Sequence, residues 1–434
     1  MPDPTGVRRA QPPQGDVDGP GDEGAGFDDR PRVGVALVVG LVLVAGLCVS
    51  IALIGRPPVA GPRPRPAEVA LHELTPISRR TWWVVLDGQA VDRDWVLRTT
   101  DGGGRWRDVS PPVPMVGSSD FLDADVGWIV PTRLSTPVGI SLSRLRQPLY
   151  ATTDGGRTWH RRGSVPWDCQ LDFVDHLHGW CTAIGAAAGS EGVQLVGTDD
   201  GGTTWHPVST TAPPPSPSTP GSLPFGCDKD LTFTTPTIGL ATEACNGGEP
   251  VLYRSTDAGA EWTPIRLPLP PGFVPPYGDG FSTEAPVFDG SQVTVPIEFA
   301  VGGPPLPRIR VVVYRSDDDG ASWHLVPLPS RISTFPDVID AAHWIATEGT
   351  TLTATADAGR HWRTWRPDVR LVDHIGEPMR LQFLTPLVGW ALPLAGGTTL
   401  TTTDGGLRWK PLVIDPERFS FGVPQLPEAA PKPA

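Results

Sequence analysis

One eight-residue pattern recurs seven times in this chain of 434 residues. It consists of Thr or Ser, any residue, Asp, any residue, Gly, two further residues and Trp, as in TTDGGRTW at 152–159. The Asp residues of successive copies lie 39 to 61 residues apart. Motifs repeated at this spacing are typical of folds built from a series of similar supersecondary units. The pattern therefore restricts the fold of most of the chain.

A second pattern lies upstream of several copies and consists of Phe, five residues, Gly and Trp. It begins at Phe121, Phe173 and Phe383, with a weaker form ending in Gly-Leu at Phe233. Each pattern fits one hairpin, so a unit contains two hairpins and four strands. Seven such units predict an all-β fold, a seven-bladed β-propeller with four-stranded blades. Blades 1, 5 and 6 depart from the second pattern.

The eight-residue pattern fits the turn between the third and fourth strands of a blade. Its Gly can adopt a positive φ, its Asp can accept hydrogen bonds from nearby backbone amides, and its Trp can bury a large ring. A side chain repeated in every blade does not define one asymmetric site. We expect a structural role for the repeated residues, which are Asp101, Asp154, Asp200, Asp257, Asp318, Asp357, Asp404, Trp106, Trp159, Trp205, Trp262, Trp323, Trp362 and Trp409.

These repeats resemble the Asp-box, or BNR, repeat of sialidases, sortilin-type receptors and the photosystem II assembly factor family. The pairing of the Asp-box with the Phe-Gly-Trp hairpin is most similar to the photosystem II assembly factors and their bacterial relatives. The resemblance implies that each Asp-box is a structural turn at the periphery of a blade, usually away from the ligand.

The N-terminal region predicts a membrane anchor. Residues 33–55 contain no charged side chain and are long enough to span a bilayer. We expect a disordered cytoplasmic tail at 1–32, a transmembrane signal anchor at 33–55 and a Pro-rich spacer at 56–66. The propeller then covers 67–413 outside the cytoplasm, and 414–434 form a C-terminal tail.

The four cysteines outside the apolar segment support an extracytoplasmic propeller. None lies in a CxxC motif or at metal-ligand spacing from a His, so two disulfides in an oxidising compartment are the economical interpretation, and four unpaired buried thiols are the alternative. Each pair flanks the first hairpin of its own blade, where adjacent antiparallel strands bring Cβ atoms within bridging range. We predict the pairs Cys169–Cys181 and Cys227–Cys245.

Charge and motifs exclude several functions. A net charge of −13 and a pI near 5.1 offer no basic surface for nucleic acid. The sequence predicts neither a metal site nor a cofactor, because it contains no phosphate-binding loop, nucleophile elbow or HExxH motif. A sialidase needs three Arg, a Tyr with a Glu partner and an acid/base Asp. Tyr277 with Glu284, seven residues on, is the pair that such an enzyme could use.

An irregular insertion at 267–283 offers a candidate binding surface. Phe273, Tyr277 and Phe281 lie in a loop stiffened by Pro residues and could present rigid aromatic anchors to a partner. The alternative is that these rings pack over the edge of a blade.

The function predicted from these features is a non-enzymatic binding or assembly platform at the outer face of the membrane. Its partner would be a protein or a glycan bound on one face of the propeller. The alternative is a sialidase-like glycoside hydrolase, and three Arg facing an acidic pair around the central channel would distinguish it.

Overall fold

The computed structural model describes residues 70–88, 93–132, 145–167, 169–184, 192–211, 221–223, 228–244, 251–270, 281–301, 308–332, 334–394, 397–414 and 419–421. In these ranges the strands form seven sheets, each of which is one blade. The described residues include no helix long and apolar enough to cross a membrane. The predicted tail at 1–32, anchor at 33–55 and spacer at 56–66 lie outside them.

The first four blades follow the chain in order. Blade 1 contains β1 (Ala70–Pro76), β2 (Trp82–Asp87), β3 (Trp95–Thr99) and β4 (Trp106–Asp108). Blade 2 contains β5 (Val116–Phe121), β6 (Gly127–Pro131), β7 (Arg146–Thr152) and β8 (His160–Pro166). Blade 3 contains β9 (Cys169–Phe173), β10 (Gly179–Ile184), β11 (Val193–Thr198) and β12 (His206–Thr210). Blade 4 contains β13 (Asp228–Phe233), β14 (Gly239–Ala244), β15 (Val251–Ser255) and β16 (Thr263–Arg266).

The last three blades include one extra strand. Blade 5 contains β17 (Phe281–Thr283), β18 (Val287–Asp289), β19 (Gln292–Val301), β20 (Arg308–Ser316) and β21 (His324–Val326). Blade 6 contains β22 (Asp337–Val338), β23 (Trp344–Glu348), β24 (Thr351–Thr355) and β25 (Arg363–Trp365). Blade 7 contains β26 (Arg380–Phe383), β27 (Gly389–Leu392), β28 (Leu400–Thr402) and β29 (Lys410–Pro411), and β30 (Phe419–Phe421) follows it.

The predicted seven-bladed propeller with four-stranded blades is confirmed. Within each blade, successive strands pair antiparallel, except that β18 in blade 5 is a side branch on β19. First strands of neighbouring blades pack on each other, as β5 does with β9, β9 with β13 and β22 with β26. The first strands therefore surround the centre of the ring, and the fourth strands lie at its periphery.

Every copy of the eight-residue pattern lies between the third and fourth strands of its blade, and blade 2 illustrates its turn. Thr152 Oγ1 donates to Asp154 Oδ1 at 2.9 Å and accepts from the Gly156 amide at 2.9 Å. The same Asp154 oxygen accepts from the Thr158 amide at 2.9 Å. Corresponding bonds recur in the other six turns. The seven carboxylates are thus engaged within their own turns.

The Phe-Gly-Trp hairpins explain how neighbouring blades are joined. Phe173 lies directly across the ladder from Gly179, and a Cβ atom at Gly179 would meet the Phe173 ring at 2.4 Å. Only Gly leaves room for the ring at this position. On its other face the ring stacks on Trp128 of blade 2, with the centroids 3.7 Å apart. Phe121 on Trp83 and Phe233 on Trp180 repeat this stacking between blades.

The ring closes where blade 7 meets blade 1. Trp390 of blade 7 packs edge-on against Trp82 of blade 1. The side-chain Nε2 of Gln382 donates to the Leu74 carbonyl at 3.0 Å. β30 then pairs parallel with β4, the outer strand of blade 1. This strand comes from 414–434, the segment predicted as a C-terminal tail, so the sheet of blade 1 includes residues from that segment.

Candidate functional site

A cavity of about 640 Å³ opens among the inner strands of blades 5, 6 and 7. This volume lies within the range of about 300–1,000 Å³ that is usual for small-molecule sites. Its described lining includes four carboxyl side chains and one guanidinium group, contributed by Glu284, Glu298, Asp337, Glu377 and Arg380.

Blade 5 supplies two of these carboxyl groups from adjacent strands. In the pairing of β17 with β19, Ser282 lies opposite Glu298. The Glu284 amide extends this ladder by donating to the Pro296 carbonyl at 3.1 Å. Glu284 and Glu298 are therefore diagonal neighbours on one face of the sheet, a position that separates backbone sites by about 7–8 Å.

The opposite face of β19 explains why this face can hold acids. Val293, Val295, Ile297 and Phe299 are fully buried in a cluster with Leu240 of blade 4. Because side chains alternate along a strand, the intervening residues of β19 point towards blade 6. The apolar face thus fixes the strand, and the other face is left to line the cavity.

Burial changes the chemistry of Glu298. The carboxyl group is partly buried, and the loss of water around it raises its pKa above the usual value for Glu. A protein achieves such a shift because a charged carboxylate is disfavoured where water is excluded. Glu298 is therefore suited to hold a proton closer to neutral pH than an exposed Glu.

Arg380 of blade 7 forms an ion pair with Glu284 of blade 5. Its Nη2 lies 3.5 Å from Oε2 of Glu284, across 96 residues of sequence. Arg380 is on β26, so this ion pair links blade 7 to blade 5 across the cavity. The arrangement places a paired carboxylate on the same sheet face as Glu298.

Asp337 is a second carboxyl group of the cavity whose pKa is raised. Burial raises its pKa to about 7, while the hydrogen bond from the Phe383 amide and the charge of Arg380 lower it and the charge of Glu284 raises it. The amide of Phe383 donates to Asp337 Oδ2 at 2.5 Å. This bond joins the first strand of blade 6 to the first strand of blade 7.

The bond made by Asp337 recurs elsewhere in the ring. Asp120 accepts from the Phe173 amide at 2.6 Å, and Asp172 accepts from the Phe233 amide at 2.7 Å. Burial raises the pKa of Asp120 to about 7 and that of Asp172 to about 6. Asp337 thus shares its environment with two structural residues, Asp120 and Asp172.

The remaining wall of the cavity is largely apolar. Phe335, Met379 and Leu394 contribute to it, and Leu394 is 68% exposed. Thr334 and Thr347 also line it, with their hydroxyl oxygens 2.9 Å apart. The cavity therefore combines ionisable groups with apolar surface and hydroxyl groups.

The predicted aromatic surface is not assembled as an exposed cluster in the described residues. Phe281 is 6% exposed in β17 and packs near Phe299, with the ring centroids 6.2 Å apart. Its ring therefore belongs to the core, which corrects its assignment as a binding residue and agrees with the alternative of packing. Phe273 and Tyr277 lie outside the described residues, and so does the pairing of Tyr277 with Glu284.

The predicted disulfide in blade 3 is confirmed. Cys169 and Cys181 are bonded, with their Cα atoms 5.4 Å apart. In the ladder, Cys169 lies opposite Ala183 and Cys181 lies opposite Leu171, so the bond crosses the hairpin diagonally. Cys227 and Cys245 lie outside the described residues, and their bond stays a prediction.

The sequence alone did not predict a functional role for Glu298, Asp337 or Arg380. Glu298 carried a signal, since it is the one charged residue in the strand sequence QVTVPIEFAV. An isolated acid in an otherwise apolar strand is costly to bury and therefore indicates a special environment. Clusters of three His, Cys, Asp or Glu arranged to bind a metal ion are not found among the described residues.

No protein-family model and no curated protein matches this chain. Solved structures do match. A xyloglucanase of family GH74 from Xanthomonas campestris is 14% identical with a TM-score of 0.36, over 77% of this chain and 66% of the xyloglucanase. An α-L-arabinanase from Penicillium chrysogenum is 15% identical with a TM-score of 0.38, over 70% and 96% of the two chains. A polysaccharide lyase of family PL25, an ulvan lyase, is 12% identical with a TM-score of 0.41, over 79% and 84%.

The predicted non-enzymatic platform has no counterpart among these three structures, which are glycoside hydrolases and a polysaccharide lyase. The alternative drawn from the sequence, a glycoside hydrolase, agrees with them better. They do not show membership of the Asp-box families or of the photosystem II assembly factors. Since the likeness concerns the fold, the chemistry of this chain depends on the residues of its own cavity.

Proposed function

We propose that this protein hydrolyses glycosidic bonds in the cavity between blades 5, 6 and 7. The observation that carries the proposal is the diagonal pair of carboxyl groups on one face of blade 5, of which Glu298 has a raised pKa and Glu284 is paired with Arg380. Glycosidases use two carboxyl groups about 5–9.5 Å apart on either side of the scissile bond.

The two groups differ in the way this reaction requires. Glu298, whose pKa is raised by burial, donates a proton to the glycosidic oxygen as the bond to the anomeric carbon breaks. Glu284, which is paired with Arg380, acts on the opposite side of the sugar, directly or through the water that supplies the new hydroxyl group. Asp337 retains its structural bond to blade 7 and adds a further carboxyl group to the wall.

The apolar wall supports this assignment. Sugar rings present C–H groups on their faces and hydroxyl groups at their edges, so their sites combine aromatic or apolar surface with a few polar groups. Phe335 and Met379 supply apolar surface, and Thr334 supplies a polar hydroxyl group.

The test is hydrolysis by the purified full-length protein in detergent. Arabinan, xyloglucan and ulvan serve as substrates, with new reducing ends as the readout for hydrolysis and an unsaturated product as the readout for a lyase. Glu298→Gln should lower the hydrolysis rate by about 10²–10⁴-fold, the usual contribution of a general acid. Asp199→Asn is the control, because Asp199 is an exposed acid in a turn of blade 3. Full activity of the Glu298→Gln protein would contradict the proposal.

Two further assignments are proposals, namely the membrane location of the chain and the class of its repeated turns. We propose that residues 33–55 anchor the chain and hold the propeller outside the cytoplasm, supported by their length without charge and by the disulfide in blade 3. A reporter active only outside the cytoplasm, fused after residue 434, should be active, and its silence would reverse the orientation. The seven equivalent hydrogen-bonded turns support assigning the repeats to the Asp-box class.

A further inference from the structure

We infer that the cavity between blades 5, 6 and 7 takes an uncharged glycan rather than an acidic one. This inference rests on the proposed hydrolase and names its substrate class. The described lining carries four carboxyl groups, Glu284, Glu298, Asp337 and Glu377, against the single guanidinium of Arg380.

Arg380 is already engaged. Its Nη2 lies 3.5 Å from Oε2 of Glu284, and Asp337 is close enough to feel its charge. A uronate, sialate or sulfate group entering the cavity would have to compete with Glu284 for this guanidinium. It would also leave Glu284 without its ion-pair partner.

The raised pKa values of Glu298 and Asp337 also favour an uncharged ligand. The cavity already disfavours additional negative charge, because burial raises the pKa of Glu298 and raises that of Asp337 to about 7, with Glu284 adding to the effect on Asp337. An acidic ligand would meet the same penalty as a further carboxylate, since a nearby like charge disfavours the charged form. Like-charge contacts are also a common means of rejecting unsuitable partners.

An uncharged sugar meets none of these costs. Its C–H faces fit Phe335, Met379 and Leu394, and its hydroxyl groups fit the oxygens of Thr334 and the carboxyl groups. Hydroxyl groups donate hydrogen bonds to carboxylates, so the acids that repel a uronate bind a neutral ring.

The experiment measures binding separately from turnover. The full-length Glu298→Gln protein in detergent is titrated with arabinohexaose, xylohexaose and cellohexaose as neutral probes and with hexagalacturonic acid as the acidic probe. At least one neutral probe should bind at least about tenfold more tightly than the acid, a ratio worth about 1.4 kcal/mol. Raising the salt concentration should reduce the difference in affinity between the neutral and acidic probes, because screening weakens the repulsion of the acid.

A charge variant sharpens the test. Glu377 is exposed at the cavity, so Glu377→Gln should improve binding of the acid by more than it changes binding of the neutral probe. Asp199→Asn should change binding of neither the acidic nor the neutral probe. Equal or tighter binding of hexagalacturonic acid, or binding of no neutral probe, would overturn the inference. Neutral binding without any turnover by the unaltered protein contradicts the hydrolase alone, whereas turnover confined to acidic glycans contradicts the substrate class alone.

Discussion

Two arcs of the same ring are built differently. From blade 1 to blade 4, each junction carries a Trp of one blade stacked on a Phe of the next, namely Trp83 on Phe121, Trp128 on Phe173 and Trp180 on Phe233. From blade 4 onwards the pattern changes. Leu240 stands where blade 3 has Trp180, and it packs into the core of blade 5.

The cavity lies in the second arc. Blades 5 and 6 lack the Phe-Gly-Trp hairpin, and the cavity is lined by residues of these two blades and of blade 7. Close stacking across a junction leaves no room for a ligand, since protein interiors are packed as densely as crystals. In blades 5 and 6 the loss of the hairpin coincides with the candidate site, whereas blade 1, which also departs from the pattern, keeps the stacked junction between Trp83 and Phe121.

Breaking one stacked junction should have the largest effect on stability. Trp128 is 2% exposed, stacks on Phe173 and donates to the Gly201 carbonyl at 3.0 Å. Trp128→Ala should lower the free energy of unfolding by about 3–5 kcal/mol, measured by urea denaturation. Trp128→Phe, which keeps a ring, should lose less. The matched change in the cavity is Phe335→Ala, which we expect to cost less than Trp128→Ala because Phe335 is partly exposed. An equal loss of unfolding free energy in the Trp128→Ala and Phe335→Ala proteins would show that the two arcs do not differ in the stability of their packing.

The disulfide strengthens the first arc by a smaller amount. It joins Cys169 to Cys181 across 12 residues within one hairpin of blade 3. Replacing both by Ser should lower the free energy of unfolding by about 2–4 kcal/mol, chiefly through the greater freedom of the unfolded chain. Reduction of the unaltered protein should reproduce this loss and leave glycan hydrolysis unchanged at low temperature. No change in the denaturation midpoint would show that blade 3 does not depend on the bond.

The regular arc could be predicted from the sequence because its interactions are local and repeated. Phe173 faces Gly179, and Asp154 closes its own turn, within a few residues in each case. The cavity could not be predicted in this way. Glu284 and Arg380 are 96 residues apart and meet because the ring brings blades 5 and 7 together. The pairing of β30 with β4 is likewise set by closure of the ring and not by any local pattern.

Equivalent Asp residues in the two arcs allow a direct comparison. Asp172 accepts from the Phe233 amide and Asp337 from the Phe383 amide, so Asp172→Ala and Asp337→Ala each leave a backbone amide without its partner. Each should lower the free energy of unfolding by about 1–3 kcal/mol. Asp172→Ala should leave glycan hydrolysis unchanged, whereas Asp337→Ala should also alter it, because only Asp337 lines the cavity in the described residues. Loss of hydrolysis by the Asp172→Ala protein, with the fold intact, would contradict a site confined to the second arc.

The smallest expected effect is on how stability depends on pH. Burial raises the pKa of Asp120 to about 7, with Asp172 and Glu73 adding to the rise and the Phe173 amide opposing it. Between the ordinary pKa of Asp and this value, the folded protein binds a proton that the unfolded chain does not, so the contribution of Asp120 to stability is lost as the pH rises through about 7. Asp120→Asn keeps an acceptor for the Phe173 amide and cannot ionise, so urea midpoints measured from pH 4 to pH 8 should fall less for this variant than for the unaltered protein. Identical pH profiles for the two proteins would show that Asp120 ionises as freely in the ring as in the unfolded chain.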